Sequence, residues 1–300
     1  MGIGSAFKKA AGIVLKPVTK IFGMNPLLSL GVSLFLSWIL RPKVPEIEDF
    51  GTNEFDDFER GILLNKQSND ANIPVVYGER LIGGTRVFME TSGTDNTYLY
   101  MAIVMSEGEI NSIEEIRVDD KVVTFASAFS DGTAVEVGSG DSNFYKDSES
   151  LIRVEPHFGT DSQSASSLLS TLSSWGSNHR LRGLCYLAIR FKWNQDAFTG
   201  IPKVQAKIKG KKVVAYNSSL VAQTAAHSTN PAWCLLDYLT NERYGKGIST
   251  TEIDLQSFYD ASVICETQVT PYSGASDINI FDTNVALDTS QKIIDNVREI

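Results

Sequence analysis

Apolar and polar positions follow a strand-like rhythm over the first two-thirds of the chain and switch to helical spacing in the last third. Ile73–Tyr77, Thr85–Glu90, Tyr98–Met105, Ile110–Val118 and Lys121–Phe125 read as strands separated by Gly, Asp or Asn turns. Tyr98–Met105 is nearly all apolar, which predicts a strand in a sheet interior. Ser127–Ser150, rich in Gly, Ser and Asp, reads as a loop excursion, and Ser164–Trp175 as a small helix. Gly183–Trp193 and Lys203–Lys209 are further strands. In the latter, Val204, Ala206 and Ile208 alternate with Lys203, Gln205, Lys207 and Lys209, giving one half-buried face and one wet face.

The helical part begins at Asn230. Pro231 suits a first helical position, where its missing N–H costs nothing. Trp233, Leu236 and Leu239 then fall on one face with Leu235 beside them, and Gly245 or Gly247 can end the helix. Asp254 caps a second helix whose Leu255, Phe258, Tyr259 and Val263 share a face. Asp288 or Thr289 can cap a third, with Ile293, Ile294, Val297 and Ile300 at helical spacing. Strands followed by helices predict an α+β fold, mainly β: a small barrel or folded sheet with a pair of helices, and no repeat of 20–50 residues. The organisation expected is an arm over 1–60, a β-rich domain over 61–227, a two-helix element over 228–268, and over 269–300 the start of a further domain that continues past this segment.

The arm has its own pattern. Lys8, Lys9, Lys16 and Lys20 precede the apolar run Leu27–Leu40, which is closed by Arg41 and Pro42, and seven acids follow between Glu46 and Glu59. The order resembles a signal peptide, but the basic region is long and no small-residue cleavage site follows. As a helix, 27–40 would reach about 21 Å, short of the roughly 30 Å hydrocarbon core. Leu27, Leu30, Leu34 and Trp38 line one side of that helix, and Leu28, Val32, Phe35 and Ile39 another. A helix apolar all round needs burial all round. The reading preferred is a partner-binding plug made by Leu27, Leu30, Leu34, Phe35 and Trp38; a membrane anchor is the alternative. The acidic run is a solvated linker.

Composition narrows the chemistry. A net charge of −9 disfavours general nucleic-acid binding, although Lys203–Lys212 is locally basic. Three Cys in 300 residues make no disulfide framework, and Cys185 and Cys234 fall at apolar positions. His157, His179 and His227 have no partner at metal-ligand spacing, and no nucleophile-elbow, zinc-protease or phosphate-loop string occurs. No catalytic residue, metal or cofactor is expected.

Four strings carry more than their periodicity. They are IPVVYGERLIGGTRVF over 73–88, IVMSEGEI over 103–110, HRLRGLCYLAIRFKWNQDAFTGIPKVQAKIKGKK over 179–212, and NPAWCLLDYLTNERYGKGISTTEIDLQSFYDASVICE over 230–266. Together and in this order they resemble the tail-tip hub proteins of long-tailed bacteriophages, the lambda-type tip attachment family; the arm has no counterpart in that resemblance. It implies small hub-type β-barrel domains and a non-enzymatic virion protein at the tail tip, assembled in the host cytoplasm. The implied assembly is a homotrimer closing the distal end of the tail tube. It would meet the distal tail ring, the C-terminal end of the tape-measure protein and other tail-tip proteins, let phage DNA pass, and take part in host attachment, with late contact to the host membrane. Trp233, Arg243, Tyr244, Gly245, His179 and Arg180 are then structural or interface residues. A tail-associated cell-wall hydrolase and a membrane-anchored surface or secretion protein are the alternatives.

Overall fold

The computed structural model describes Asn65, residues 72–272 and residues 274–300. The expectations for the arm, Leu27, Leu30, Leu34, Phe35 and Trp38 included, lie outside the described residues.

Among the described residues, sixteen strands run in the order β1 (Val75–Tyr77), β2 (Glu79–Ile82), β3 (Thr85–Ser92), β4 (Tyr98–Glu107), β5 (Ile110–Val118), β6 (Lys121–Val122), β7 (Val135–Glu136), β8 (Tyr145–Lys146), β9 (Glu149–Ser150), β10 (Ile152–Phe158), β11 (Leu184–Lys192), β12 (Val204–Val213), β13 (Ala226–His227), β14 (Gln268–Val269), β15 (Ile278–Asn279) and β16 (Val285–Leu287). Three α-helices, α1 (Pro231–Thr240), α2 (Leu255–Cys265) and α3 (Ile293–Glu299), complete the described part, which is α+β and mainly β. One antiparallel sheet has the order β3-β4-β11-β10-β7; a second has β13-β12-β5-β6, with β2 also on β12.

The two sheets enclose one apolar core. Met101, Ile103 and Met105 of β4 and Leu187 and Ile189 of β11 meet Ile113 and Ile116 of β5 and Val204, Ala206 and Ile208 of β12. The alternation read in β12 therefore holds for its apolar face, but Gln205 is buried rather than wet. Tyr100, Ala102 and Val104 point to the other side of β4, where Leu168, Leu169, Leu172 and Trp175 cover them. The strand read as all-apolar is buried on both faces for this reason.

The segment covering that face is not the helix expected over Ser164–Trp175. Only Leu169–Thr171 forms a 3-10 turn. Glu155, on β10 and 2% exposed, takes the backbone N–H groups of Ser167 (3.0 Å) and Leu168 (2.6 Å) and the hydroxyls of Ser166 (2.8 Å) and Ser167 (3.1 Å). A carboxylate from another strand thus gathers donors and fixes the turn in place. Burial by itself would raise the Glu155 pKa; hydrogen bonding by His157, Leu168, Ser167 and Ser166 outweighs it and holds the carboxyl at about 2. The excursion Ser127–Ser150 is also more ordered than a loop: it carries β7, β8 and β9, and Phe144 is buried and stacks on Phe198. The strand expected over Lys121–Phe125 shortens to Lys121–Val122.

A third apolar cluster joins β1 and β16 to the helices through Val75, Tyr77, Trp233, Cys234, Leu236, Tyr238 and Leu287, with Phe258, Tyr259 and Val297 against them. Residues 269–300 thus return to the first strand: Val75 faces Leu287 and Tyr77 faces Val285 in an antiparallel pair. α3 follows Lys292 with no side-chain cap, and Asp288 instead accepts from the Ser290 N–H and hydroxyl in the preceding turn. Asp254 caps α2 as its position predicts, accepting from Gln256 and Ser257 N–H. Val263, expected on the buried face of α2, is 52% exposed. Cys185 and Cys234 are buried free thiols, and burial pushes the Cys234 thiol up to about 12.

Candidate functional site

All four quoted strings meet at one junction between β1, the end of β4 and the residues after α1. The junction starts with the placement of α1. Asn230 accepts from Ala232 N–H (3.0 Å), and its side-chain amide donates to Ser262 O (3.0 Å) and Glu266 Oε1 (2.9 Å), so the N-cap of α1 also fastens the end of α2. Trp233 is buried one turn before Asp237, with its ring 6.1 Å from that of Tyr216.

Asp237 Oδ2 accepts two phenol hydroxyls, from Tyr77 at 2.6 Å and Tyr244 at 2.7 Å. Lys211 Nζ stands 4.0 Å from Oδ1. Hydroxyls donating to a carboxylate at these lengths are charge-assisted bonds, stronger than neutral ones. Burial, with the Asp237 charge nearby, raises both phenol pKa values far above the usual range, so both remain donors. Next to them Arg243 Nε donates to Glu107 Oε1 at 2.9 Å. Burial raises the Glu107 pKa, with Arg243 and Lys211 opposing. Gly108 N–H donates to Gly183 O at 2.7 Å, which brings the 103–110 and 179–212 strings into contact. Glu107, Glu109, Asp161, Lys211, Arg243 and Tyr244 line a polar recess of 270 Å³.

The chain reaches this arrangement by a turn that differs from the expected glycine stop. α1 ends at Thr240, and Asn241 follows in an extended conformation. Its side-chain oxygen accepts from Arg243 N–H (2.9 Å) and Tyr244 N–H (3.3 Å), an Asx turn that aims both residues at the junction. Neither Gly245 nor Gly247 terminates the helix. Gly245 is required for another reason: a Cβ there would lie 1.7 Å from the Tyr238 carbonyl oxygen. A local signal for the turn was present in Asn241.

Of the residues singled out from sequence, Arg243, Tyr244 and Gly245 come together here, with Trp233 in the apolar cluster beneath. His179 and Arg180 stay in their own turn: the His179 ring lies 5.0 Å from Trp175 and its Nδ1 accepts from Gly176 N–H (2.9 Å), while Arg180 Nε donates to Ser177 O (2.9 Å). Tyr77, Glu107, Lys211 and Asp237 complete the junction; they sat inside the quoted strings, and only their pairing across the fold marks them. Among the described residues no cluster of His, Cys, Asp or Glu could hold a metal ion, and no helix is long and apolar enough to cross a membrane. Each lysine of the basic strand β12 faces an acid, Lys207 Glu79, Lys209 Glu114, Lys211 Asp237 and Lys212 Glu109, as does Lys203 just before the strand, which faces Asp120.

No protein-family model matches the chain. Among solved structures, a chain from the virion of a native gene transfer agent particle aligns over 50% of this chain and 29% of its own, with a TM-score of 0.36 and 14% identity, an overlap too small to argue from. Among curated proteins, the baseplate hub protein pb3 of Escherichia phage T5 is 28% identical over 282 residues, covering 76% of this chain, which spans 30% of the length of that relative.

Proposed function

We propose that this chain is a structural component of a bacteriophage baseplate hub, sited at the tail tip of the virion. The observation that carries the reading is the 28% identity to the T5 baseplate hub protein, extending over three-quarters of the chain. The junction supports it from the side of chemistry. Tyr77 and Tyr244 are spent on Asp237 and Arg243 on Glu107, so these polar groups fasten one part of the protein to another. The acids facing the lysines of β12 suit a surface that DNA passes without the phosphate contacts that would hold it.

In its finer form the proposal is a homotrimer that closes the distal end of the tail tube. It contacts the distal tail ring, the end of the tape-measure protein and other tail-tip proteins, and takes part in DNA ejection and host attachment. Leu27, Leu30, Leu34, Phe35 and Trp38 serve as a partner-binding arm, and Trp233, Arg243, Tyr244, Gly245, His179 and Arg180 hold the fold or its interfaces. Native mass measurement and negative-stain imaging of the purified full chain test the assembly, with a threefold ring expected. A stable monomer or a sixfold ring overturns the trimer. Antibody decoration of the virion anywhere but the tail tip overturns the hub assignment itself.

A further inference from the structure

One face of the helical third of the fold is apolar and exposed. Val263 and Ile264 on α2, Val269 and Ile278 paired across the β14–β15 ribbon, and Ile280 and Phe281 after it are all between 37% and 60% exposed. Ile280 N–H donates to Thr267 O (2.9 Å) and Phe281 N–H to Cys265 O (3.3 Å), which lays the chain leaving the ribbon along the end of α2 and joins these side chains into one patch. A two-stranded ribbon is marginal without something packed on it.

The segment that forms the patch carries charge of one sign. From Ile248 to Gln291 the sequence holds seven Asp and Glu and no Lys or Arg. The side chains these acids bond are neutral: Asp254 meets Ser257, Asp260 meets Gln256, Glu266 meets Asn230, and Asp282 meets Thr229 and Asn279. An occupant therefore needs an apolar centre and basic flanks. Residues 1–45 of the same sequence have that composition. They hold six Lys and Arg and no acid, with the apolar run Leu27–Leu40 between Lys20 and Arg41.

We infer that residues 1–45 of one copy dock on the acidic-rimmed apolar face formed by α2 and the β14–β15 ribbon of a neighbouring copy. The apolar run covers the patch and the bases face the rim, which fixes the direction of docking more than its strength. The stretch 46–64 precedes Asn65, whose side chain accepts from Val204 N–H, and spans at most about 65 Å when extended, long enough to reach another subunit. The inference rests on the association of copies proposed above.

The test uses the full chain with a photo-reactive phenylalanine analogue at Ile264 in one variant and at Phe281 in another. Both positions are exposed, so folding is not at stake. Equal amounts of heavy-isotope and ordinary protein are mixed, illuminated and digested for mass spectrometry. The expected products join position 264 or 281 to residues 1–45 of the opposite isotope. Their yield should fall about tenfold when Lys8, Lys9, Lys16 and Lys20 become Glu, and fall on going from about 50 mM to about 500 mM salt. Products confined to one isotope, products joining the patch to residues outside 1–45, or multimers that give no product each overturn the docking. A monomeric mass overturns the association of copies and the docking with it; multimers without the product overturn the docking alone.

Discussion

Replacing Asp237 with Ala tests the fastening role of the junction most directly. The substitution removes the single oxygen that accepts both Tyr77 and Tyr244, leaving two phenols, one of them 0% exposed, without their acceptor. A buried donor left unpaired costs about 1–3 kcal/mol, so the loss should be about 2–5 kcal/mol, a large share of the 5–15 kcal/mol that holds a typical domain together. D237N is the control. Its amide oxygen still accepts both hydroxyls but loses the charge assistance, and about 1 kcal/mol is expected. Y77F and Y244F each remove one bond and leave the carboxylate with the other, for about 1–2 kcal/mol each. Urea unfolding followed by tryptophan fluorescence measures all of these, since Trp233 lies buried one turn from Asp237. The D237A/Y77F pair should cost clearly less than the sum of its parts, because the two side chains share one interaction. Additive costs, a D237A loss under about 0.5 kcal/mol, or D237N as damaging as D237A would refute the argument.

Two further outcomes follow from named contacts. Gly245→Ala should destabilise by about 3 kcal/mol, the cost of forcing a methyl into an occupied position, and a loss below about 0.5 kcal/mol would contradict the close approach to Tyr238 O. Glu155 has its folded pKa depressed from 4.5 to about 2, so its contribution is fully present above 4.5 and is lost as pH falls toward 2. Glu155→Gln should therefore cost about 3 kcal/mol near neutrality, with the difference from wild type shrinking through that window; a difference that does not change with pH would show that the carboxylate charge is not the cause.

The elements set by local pattern were legible from sequence, and those set by distant partners were not. β5 spans Ile110–Val118 as its alternation predicts, and α2 starts after Asp254 because a short acid before an apolar run has few competing uses. The missing helix over Ser164–Trp175 has a cause outside its own window: Glu155, on a neighbouring strand, claims the donors of Ser166, Ser167 and Leu168. Val263 shares the helical spacing of Leu255 and Phe258, yet the fold leaves it exposed. At the junction, Arg243, Tyr244 and Gly245 could be flagged because they are close in sequence. Tyr77 and Asp237 are 160 residues apart, and no periodicity reports a bond over that span. The same limit applies to β12, where the lysines read as a wet basic row until their acids arrive from β5 and β2 and from the turns and helix beside them.

The pairing of β1 with β16 also sets a clock. Thr289 Oγ1 donates to Ile73 O, a contact between residues 216 apart in the chain. At about 5–20 residues per second a ribosome takes roughly 10–40 s to make that interval. Throughout this time β1 is already made and its partner strand does not exist. The sheets built from β3, β4, β10 and β11 can close earlier, because their partners have already emerged. A nascent chain therefore carries an open β1 edge until β16 has been made, and subunits that associated on the ribosome before then would do so with that edge unzipped. Closure of the β1–β16 pair separates chains made past Leu287 from chains that have not yet reached it.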